Sequence, residues 1–89
     1  MGISRETKIR NKEGLHFRPI MQLVDLSSRF SATVQLHVEE REASSRSPME
    51  LLMLVATQGT PVRLEADGDD AEPALDAIIR LIENGFDET

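Results

Sequence analysis

Residues 17–38 read FRPIMQLVDLSSRFSATVQLHV, and a change of hydrophobic period within this stretch decides the fold class. In residues 17–30 the apolar side chains recur at intervals of three and four, which predicts an amphipathic helix with one buried face. In residues 34–38 every second side chain is apolar, which predicts a strand that is buried on one side only. A helix followed at once by a half-buried strand is typical of a sheet that helices cover on one face.

The same two periods organise the rest of the chain. The further elements that they predict are a strand around Thr7 and Ile9, a weaker strand from about Glu42 to Ser45, a helix that starts at Ser47 and runs to about Ala56, a strand through Val62, Leu64 and Ala66, and a last helix that Asp70 caps and Asn84-Gly85 end. Ser47, Pro48 and Glu50 together have the pattern of a capping box. The element order is βαββαβα, so we predict an α+β fold in which one face of the sheet stays open.

The length and composition fit one domain, residues 1–89, and exclude several classes of function. The chain has 89 residues, no cysteine, a net charge of −6 and only three aromatic residues, all phenylalanine. Without cysteine there is no disulfide, thiolate zinc site or cysteine nucleophile. An acidic chain with few aromatic rings does not suit nucleic-acid binding. No stretch is long and apolar enough for a membrane span or a signal-peptide core, so we expect a cytoplasmic protein.

The segment Gly14-Leu15-His16-Phe17-Arg18-Pro19 carries the chemistry that we expect of this chain. His16 falls at or next to the N-cap of the first helix, where unpaired amides and the helix dipole favour an anion. Arg18 adds a cation two residues further on, and Pro19 suits the first turn of a helix because it has no N–H to leave unpaired. A neutral imidazole in this setting is a nucleophile for a phosphoryl group, and the neighbouring positive charges favour the neutral ring.

The residues by themselves leave a plainer interpretation open. A histidine near a helix start is often a cap or a solvated loop residue, and Arg18 could be an ordinary surface charge. His37, the second histidine, lies on the polar face of its strand, where we expect a solvated side chain without a role. Because the two histidines lie in separate elements and have no further ligand at metal-binding spacing, we predict no metal site and no cofactor. The acidic run at residues 67–72 fits a turn and a helix cap.

The segment from Gly14 to Pro19, continued by Ile20-Met21-Gln22-Leu23-Val24, resembles the active-site signature of the HPr phosphocarriers of the bacterial phosphoenolpyruvate-dependent phosphotransferase system. The similarity extends over nearly the whole chain, and residues 47–54 and 84–88 look more like the nitrogen-related branch, NPr, than the sugar-transport branch. The resemblance implies an HPr-like open-faced β-sandwich, with a four-stranded antiparallel sheet and three helices on one face.

The same resemblance implies a carrier rather than an enzyme. In that family pattern His16 accepts a phosphoryl group on Nδ1 from Enzyme I and passes it to an EIIA-type protein, while Arg18 stabilises the phosphate. Phe17 departs from the pattern, because the family usually has a small residue between the histidine and the arginine. The Phe17 ring therefore either acts as a docking knob on the surface or partly shields His16.

Two further groups of residues bear on partners and regulation. Ser47 matches a position that a dedicated kinase phosphorylates in some HPr proteins, but Glu50 would repel such a phosphate, so we do not expect regulation there. An apolar docking face around the site is expected from Phe17, Pro19, Met21, Met49, Leu52 and Met53. Helical spacing cannot place Met21, Met49, Leu52 and Met53 all outside, so we assign half of these four to the core.

Three functions remain open at this point. The first is a phosphocarrier, which we expect to be a monomer because it must present one face to successive partners. The second is a regulatory interaction protein, in which phosphorylation of His16 controls a target without sugar transport. The third is a small-ligand-binding α+β domain of ferredoxin-like type, which shares much of the element order but leaves the segment around His16 unexplained.

Overall fold

The computed structural model describes residues 2–88. In chain order the elements are β1 (Ile3–Lys8), α1 (Phe17–Ser27), β2 (Thr33–Val38), β3 (Arg41–Ser44), α2 (Pro48–Met53), β4 (Pro61–Asp67) and α3 (Ala71–Glu83), and a short left-handed turn, Gly85–Asp87, follows α3. This is the predicted order βαββαβα. Within these residues, no helix combines the length and the apolar character that a membrane crossing needs.

The four strands form one antiparallel sheet in the order β1-β4-β2-β3, so β4 and β2 are its central strands. The apolar side chains of β2 and β4 lie in register, with Val34 opposite Ala66 and Leu36 opposite Leu64, and all four are buried. α3 packs on β1 and β4, α2 packs on β3, and α1 packs on the other two helices. Because polar residues alternate with the buried ones, the opposite face of the sheet stays open, and the predicted α+β architecture is confirmed.

α1 is shorter than the sequence predicts. It ends at Ser27 rather than at Phe30, because the next residue turns its side chain back onto the helix: the Ser28 hydroxyl donates to the Asp25 carbonyl at 2.7 Å. The Arg46 guanidinium then donates to carbonyls around the helix end, those of Ser27 at 3.3 Å and of Phe30. These contacts replace the hydrogen bonds of a further helical turn.

α2 and β1 also differ from the expected boundaries. α2 ends at Met53 rather than at Ala56, because Val55 has a φ of 52° and therefore lies outside the right-handed helical region. β1 begins at Ile3, upstream of the residues whose alternation predicted it, and it lies at an edge of the sheet.

The capping box at the start of α2 is half formed. Ser47 is the N-cap residue, and its hydroxyl accepts a hydrogen bond from the Glu50 N–H at 3.3 Å, as predicted. The reciprocal half of the prediction is wrong, because a Glu50 carboxylate oxygen accepts from the Ser44 N–H at 2.8 Å instead. Glu50 therefore ties α2 to β3.

Asp70 is the N-cap residue of α3, but its carboxylate does not cap that helix. It accepts hydrogen bonds from the N–H groups of Ser31 and Ala32, at 2.9 and 2.7 Å, in the turn before β2. The Ser31 amide is the main cause that lowers the pKa of Asp70; burial opposes the shift and the Ala32 amide adds to it. Instead of capping α3, the Asp70 carboxylate therefore connects the start of α3 to the turn before β2.

Candidate functional site

The loop before α1 is bound to the segment that leads into β4. The Leu15 N–H donates to the Ala56 carbonyl at 2.9 Å, and the Leu15 side chain is buried. Gly14 makes this close approach possible: its φ is +72°, and a Cβ there would lie 2.4 Å from the Ala56 carbonyl oxygen. Because glycine alone fits both the conformation and the space, Gly14 fixes where His16 lies.

His16 is the N-cap residue of α1, as predicted. Its carbonyl accepts the Ile20 N–H at 3.0 Å, while its imidazole makes no capping hydrogen bond. The amides of Phe17 and Arg18 are the first of the helix and have no acceptor within it, and Pro19 has no N–H. The start of α1 therefore presents two amides and the positive end of the helix dipole beside a histidine side chain that is 37% exposed.

The His16 ring has a carboxylate partner, Glu88, that the sequence does not predict. His16 Nε2 lies 3.0 Å from Glu88 Oε2 and 3.2 Å from Glu88 Oε1. Among residues 2–88 the other ring nitrogen, Nδ1, has no hydrogen-bond partner. The His16 hydrogen bond is the main cause that lowers the pKa of Glu88; burial opposes it, while Asn11 and the charge of Arg18 assist. Glu88 is 72 residues from His16 in sequence, so no local pattern could have indicated this contact.

Arg18 is exposed, and within the described part of the chain its guanidinium makes no hydrogen bond or ion pair. It lines an open depression of about 430 Å³ together with Lys12, Glu13, His16, Asp87 and Glu88. His16 and the guanidinium of Arg18 thus share one surface depression, which is the arrangement that the sequence predicts for an anion site.

Five of the six predicted docking residues are exposed. The exposed fractions lie between 41% and 76% for Phe17, Met21, Met49, Leu52 and Met53. Our assignment of half of the last four to the core is wrong, because α2 has only six residues and Leu51 alone among them is buried. Pro19 is the exception in the other direction: it is buried, and we leave it out of the docking face.

Val55 extends this apolar face without having been predicted. It is 70% exposed and has a φ of 52°, a conformation that costs a β-branched residue free energy. A valine in a sequence gives no signal of positive φ, so the sequence does not predict this conformation. We define the docking surface as Phe17, Met21, Met49, Leu52, Met53 and Val55.

His37 is not the solvated residue that we expected. Its side chain is 17% exposed, with Nε2 at 2.8 Å from Glu65 Oε1 and Nδ1 at 3.6 Å from Glu42 Oε2. The His37 hydrogen bond is the main cause that lowers the pKa of Glu65, followed by contacts with Arg63. His37 is therefore held between two carboxylates on the open face of the sheet. Among residues 2–88 no group of three or more His, Asp and Glu side chains is arranged to hold a metal ion.

Comparison with known proteins identifies the family. Residues 3–84 match the family model of the PTS HPr component phosphorylation site. The phosphocarrier protein NPr of Proteus mirabilis is 46% identical over 85 residues, which are 94% of each chain. The phosphocarrier protein HPr of Xylella fastidiosa (strain Temecula1) is 37% identical over 86 residues, 97% of each chain.

The fold agrees with this assignment. The crystal structure of HPr-C-His from Thermoanaerobacter tengcongensis superposes with a TM-score of 0.93 at 36% identity, and the superposition covers 98% of both chains. This confirms the HPr-like open-faced β-sandwich and sets aside the ferredoxin-like alternative. The chain therefore belongs to the HPr family of phosphotransferase-system proteins.

Proposed function

We propose that the chain carries phosphoryl groups on His16: Enzyme I loads it from phosphoenolpyruvate, and an EIIA-type protein takes the group away. The observation that carries this proposal is the position of His16 at the N-cap of α1, with a ring that makes no capping hydrogen bond and with Arg18, which has no partner among residues 2–88, two residues further on. Members of the HPr family are phosphocarriers and not enzymes, so the chain is loaded and unloaded rather than turning over a substrate.

The chemistry needs a nucleophile and donors for the phosphoryl oxygens. The lone pair on His16 Nδ1 attacks phosphorus while the bond from phosphorus to the donor breaks and the donor keeps its electron pair. The guanidinium of Arg18 and the free amides at the start of α1 then neutralise the oxygens of the transferred group. Because Arg18 and these amides belong to the same helix start as His16, they reach the transferred group without a rearrangement of other elements.

The docking surface is suited to the recognition of partner proteins. Its six apolar side chains lie on α1, on α2 and in the turn before Ala56, and α1 and α2 pack against each other. The turn contacts Leu15, the residue next to His16, through the Ala56 carbonyl. An apolar surface rich in methionine can adapt to more than one partner, which a carrier between two proteins needs.

Phosphate incorporation tests this proposal. The chain is incubated with phosphoenolpyruvate and a catalytic amount of cognate Enzyme I, and its intact mass is measured without acid treatment. We expect one acid-labile phosphate on the wild type and on His37→Ala, the matched control for the second histidine, and none on His16→Ala. No phosphate on the wild type, or its retention in His16→Ala, contradicts the proposal.

A regulatory role is the second candidate, and one observation favours it. Identity to NPr proteins ranges from 46% to 41%, slightly above the 37–40% identity to HPr proteins. In this variant His16 is phosphorylated in the same way, but the phosphorylation state controls a target instead of feeding sugar transport. Transfer from the phosphorylated chain to purified EIIA-type proteins of the two branches distinguishes the candidates by which acceptor is labelled.

Further expectations belong to the same proposal. We propose that residues 1–89 act as one domain, that the chain works in the cytoplasm and that it is a monomer in solution. Ser47 is half-buried and its hydroxyl already accepts the Glu50 N–H, so we propose that it is not a regulatory phosphorylation site. Stoichiometric phosphate on Ser47 after incubation with an HPr kinase and ATP would overturn that last expectation.

A further inference from the structure

The residues that follow α3 turn back towards the site. Gly85, Phe86 and Asp87 have φ values of 65°, 56° and 59°, three successive residues in the left-handed region. Two of them are not glycine, so the turn costs free energy and persists only where the surroundings hold it. The Phe86 side chain is fully buried, and its packing in the core stabilises the turn. As a result, Glu88 leaves the turn beside His16.

A second contact, from Asn11, holds the Glu88 carboxylate in place. The Asn11 Nδ2 amide donates to the Gly14 carbonyl at 2.7 Å and to Glu88 Oε1 at 3.1 Å. Asn11 is buried, so its side chain cannot easily turn away. Asn11 and the turn after α3 therefore place the Glu88 carboxylate against His16 Nε2.

We infer that Glu88 is a positioning residue for His16: it holds the ring hydrogen on Nε2 and so leaves the lone pair on Nδ1. A carboxylate only accepts hydrogen bonds, so the ring nitrogen that faces it must carry the hydrogen. In a neutral imidazole the other nitrogen is then the nucleophile. This inference rests on the proposed function, in which Nδ1 takes the phosphoryl group.

The same contact serves both directions of transfer. On loading, the Nδ1 lone pair forms the N–P bond, the donor's bond to phosphorus breaks, and the hydrogen stays on Nε2. The ring is then cationic, and Glu88 faces that charge at 3.0 Å. On unloading, a nucleophile of the acceptor protein bonds to phosphorus while the N–P bond breaks, the electron pair of that bond returns to Nδ1, and the ring leaves as a neutral imidazole. No proton has to move in either direction, and the ring never has to leave as an anion.

The other charged side chains of the depression do not make this contact. Lys12, Glu13, Arg18 and Asp87 share the depression with His16, but within residues 2–88 Glu88 alone is hydrogen-bonded to the His16 ring. Asp87 offers a matched control, because Asp87→Asn removes one negative charge from the neighbouring position and asparagine tolerates positive φ.

Nitrogen-15 NMR of the unphosphorylated chain tests the inference. The chemical shifts of His16 Nδ1 and Nε2 give the ratio of the two neutral tautomers, at a pH where titration has shown the ring to be neutral. We expect the Nε2–H tautomer in the wild type and in Asp87→Asn. In Glu88→Ala we expect the ratio to fall about fivefold, the equivalent of one ordinary hydrogen bond. Glu88→Ala leaves the apolar core unchanged, so the variant is expected to fold.

Phosphoryl transfer supplies the functional readout. Glu88→Ala should be loaded by Enzyme I and unloaded to an acceptor more slowly than Asp87→Asn. The inference is overturned if Glu88→Ala keeps the wild-type tautomer ratio, or if Asp87→Asn changes that ratio as much as Glu88→Ala does. A wild-type chain that takes no phosphate from Enzyme I refutes the proposed function instead, and the tautomer ratio then still decides what Glu88 does to the ring.

Discussion

Replacing Gly14 by alanine tests how the site is held in place. A Cβ at Gly14 would lie 2.4 Å from the Ala56 carbonyl oxygen and 2.9 Å from the Thr57 Cα, both of which are backbone atoms that cannot turn aside. The loop must therefore move away from the segment before β4, and the Leu15 N–H to Ala56 hydrogen bond of 2.9 Å must lengthen or break. Overpacking of this kind costs about 1–3 kcal/mol.

Gly59 provides the matched control. Its φ is +88°, also in the left-handed region, but a Cβ there would have no atom within 4 Å. Gly59→Ala therefore pays only for the backbone conformation, about 1–2 kcal/mol, less the gain from a less flexible unfolded chain. Gly14→Ala has the same backbone strain and the steric clash in addition, so its free energy of unfolding should fall by about 1–3 kcal/mol more.

Urea and thermal unfolding measure both variants against the wild type. For a domain of this size each kcal/mol corresponds to about 4–8 °C in Tm. Equal losses for Gly14→Ala and Gly59→Ala would refute the reasoning, because they would show that the close approach of the loop to Ala56 carries no steric constraint. A larger loss for Gly59→Ala would do so more strongly.

Substitutions at three other positions test Phe86, Val55 and Asp70 separately. Phe86→Ala should lower the free energy of unfolding by about 3–5 kcal/mol, because the ring is fully buried, and it should speed hydrogen exchange at the Glu88 amide. A loss below about 1 kcal/mol in urea unfolding would show that the Phe86 ring does not stabilise the turn after α3. Val55→Gly should be more stable than Val55→Ala by about 1 kcal/mol, because glycine adopts a φ of 52° without strain. If Val55→Ala instead has the higher Tm, the backbone at Val55 is not strained. The carboxyl of Asp70 has a lowered pKa in the folded chain, so its stabilising effect is complete above the ordinary aspartate pKa and is lost as pH falls through the lowered value. Asp70→Asn should therefore be less stable than the wild type at neutral pH, and its stability should approach that of the wild type in acid. A stability difference that does not depend on pH would count against the hydrogen bonds from Ser31 and Ala32.

The sequence is sufficient for the fold because its hydrophobic periods are clear. The switch of period between residues 17–30 and 34–38 and the alternation through Val62, Leu64 and Ala66 lead directly to the observed order of elements. The N-cap position of His16 also follows from the sequence, since the apolar stripe of α1 begins just after it. Helix ends are less predictable: α1 stops early through Ser28 and through Arg46, which is distant in sequence, and α2 stops early through the backbone of Val55.

Only the local part of the site can be predicted, because contacts between residues distant in sequence leave no local pattern. His16, Phe17 and Arg18 lie in one short segment, so their proximity is local. Glu88 reaches His16 through a left-handed turn that the burial of Phe86 stabilises. Gly85 marks the start of this turn in the sequence, but nothing there indicates the positive φ of Phe86 and Asp87 or the burial of the Phe86 ring. His37 likewise gains its two carboxylate neighbours from strand pairing, and pairing of distant strands depends on the sheet order.

The central claim is that His16 Nδ1 carries the phosphoryl group, and NMR of the phosphorylated chain tests it most directly. The chain is labelled with nitrogen-15, phosphorylated with phosphoenolpyruvate and Enzyme I, and examined for coupling between phosphorus and each imidazole nitrogen. We predict coupling to His16 Nδ1 and a hydrogen that remains on His16 Nε2. Coupling to His16 Nε2, or phosphate found on His37 or Ser47, would contradict the account.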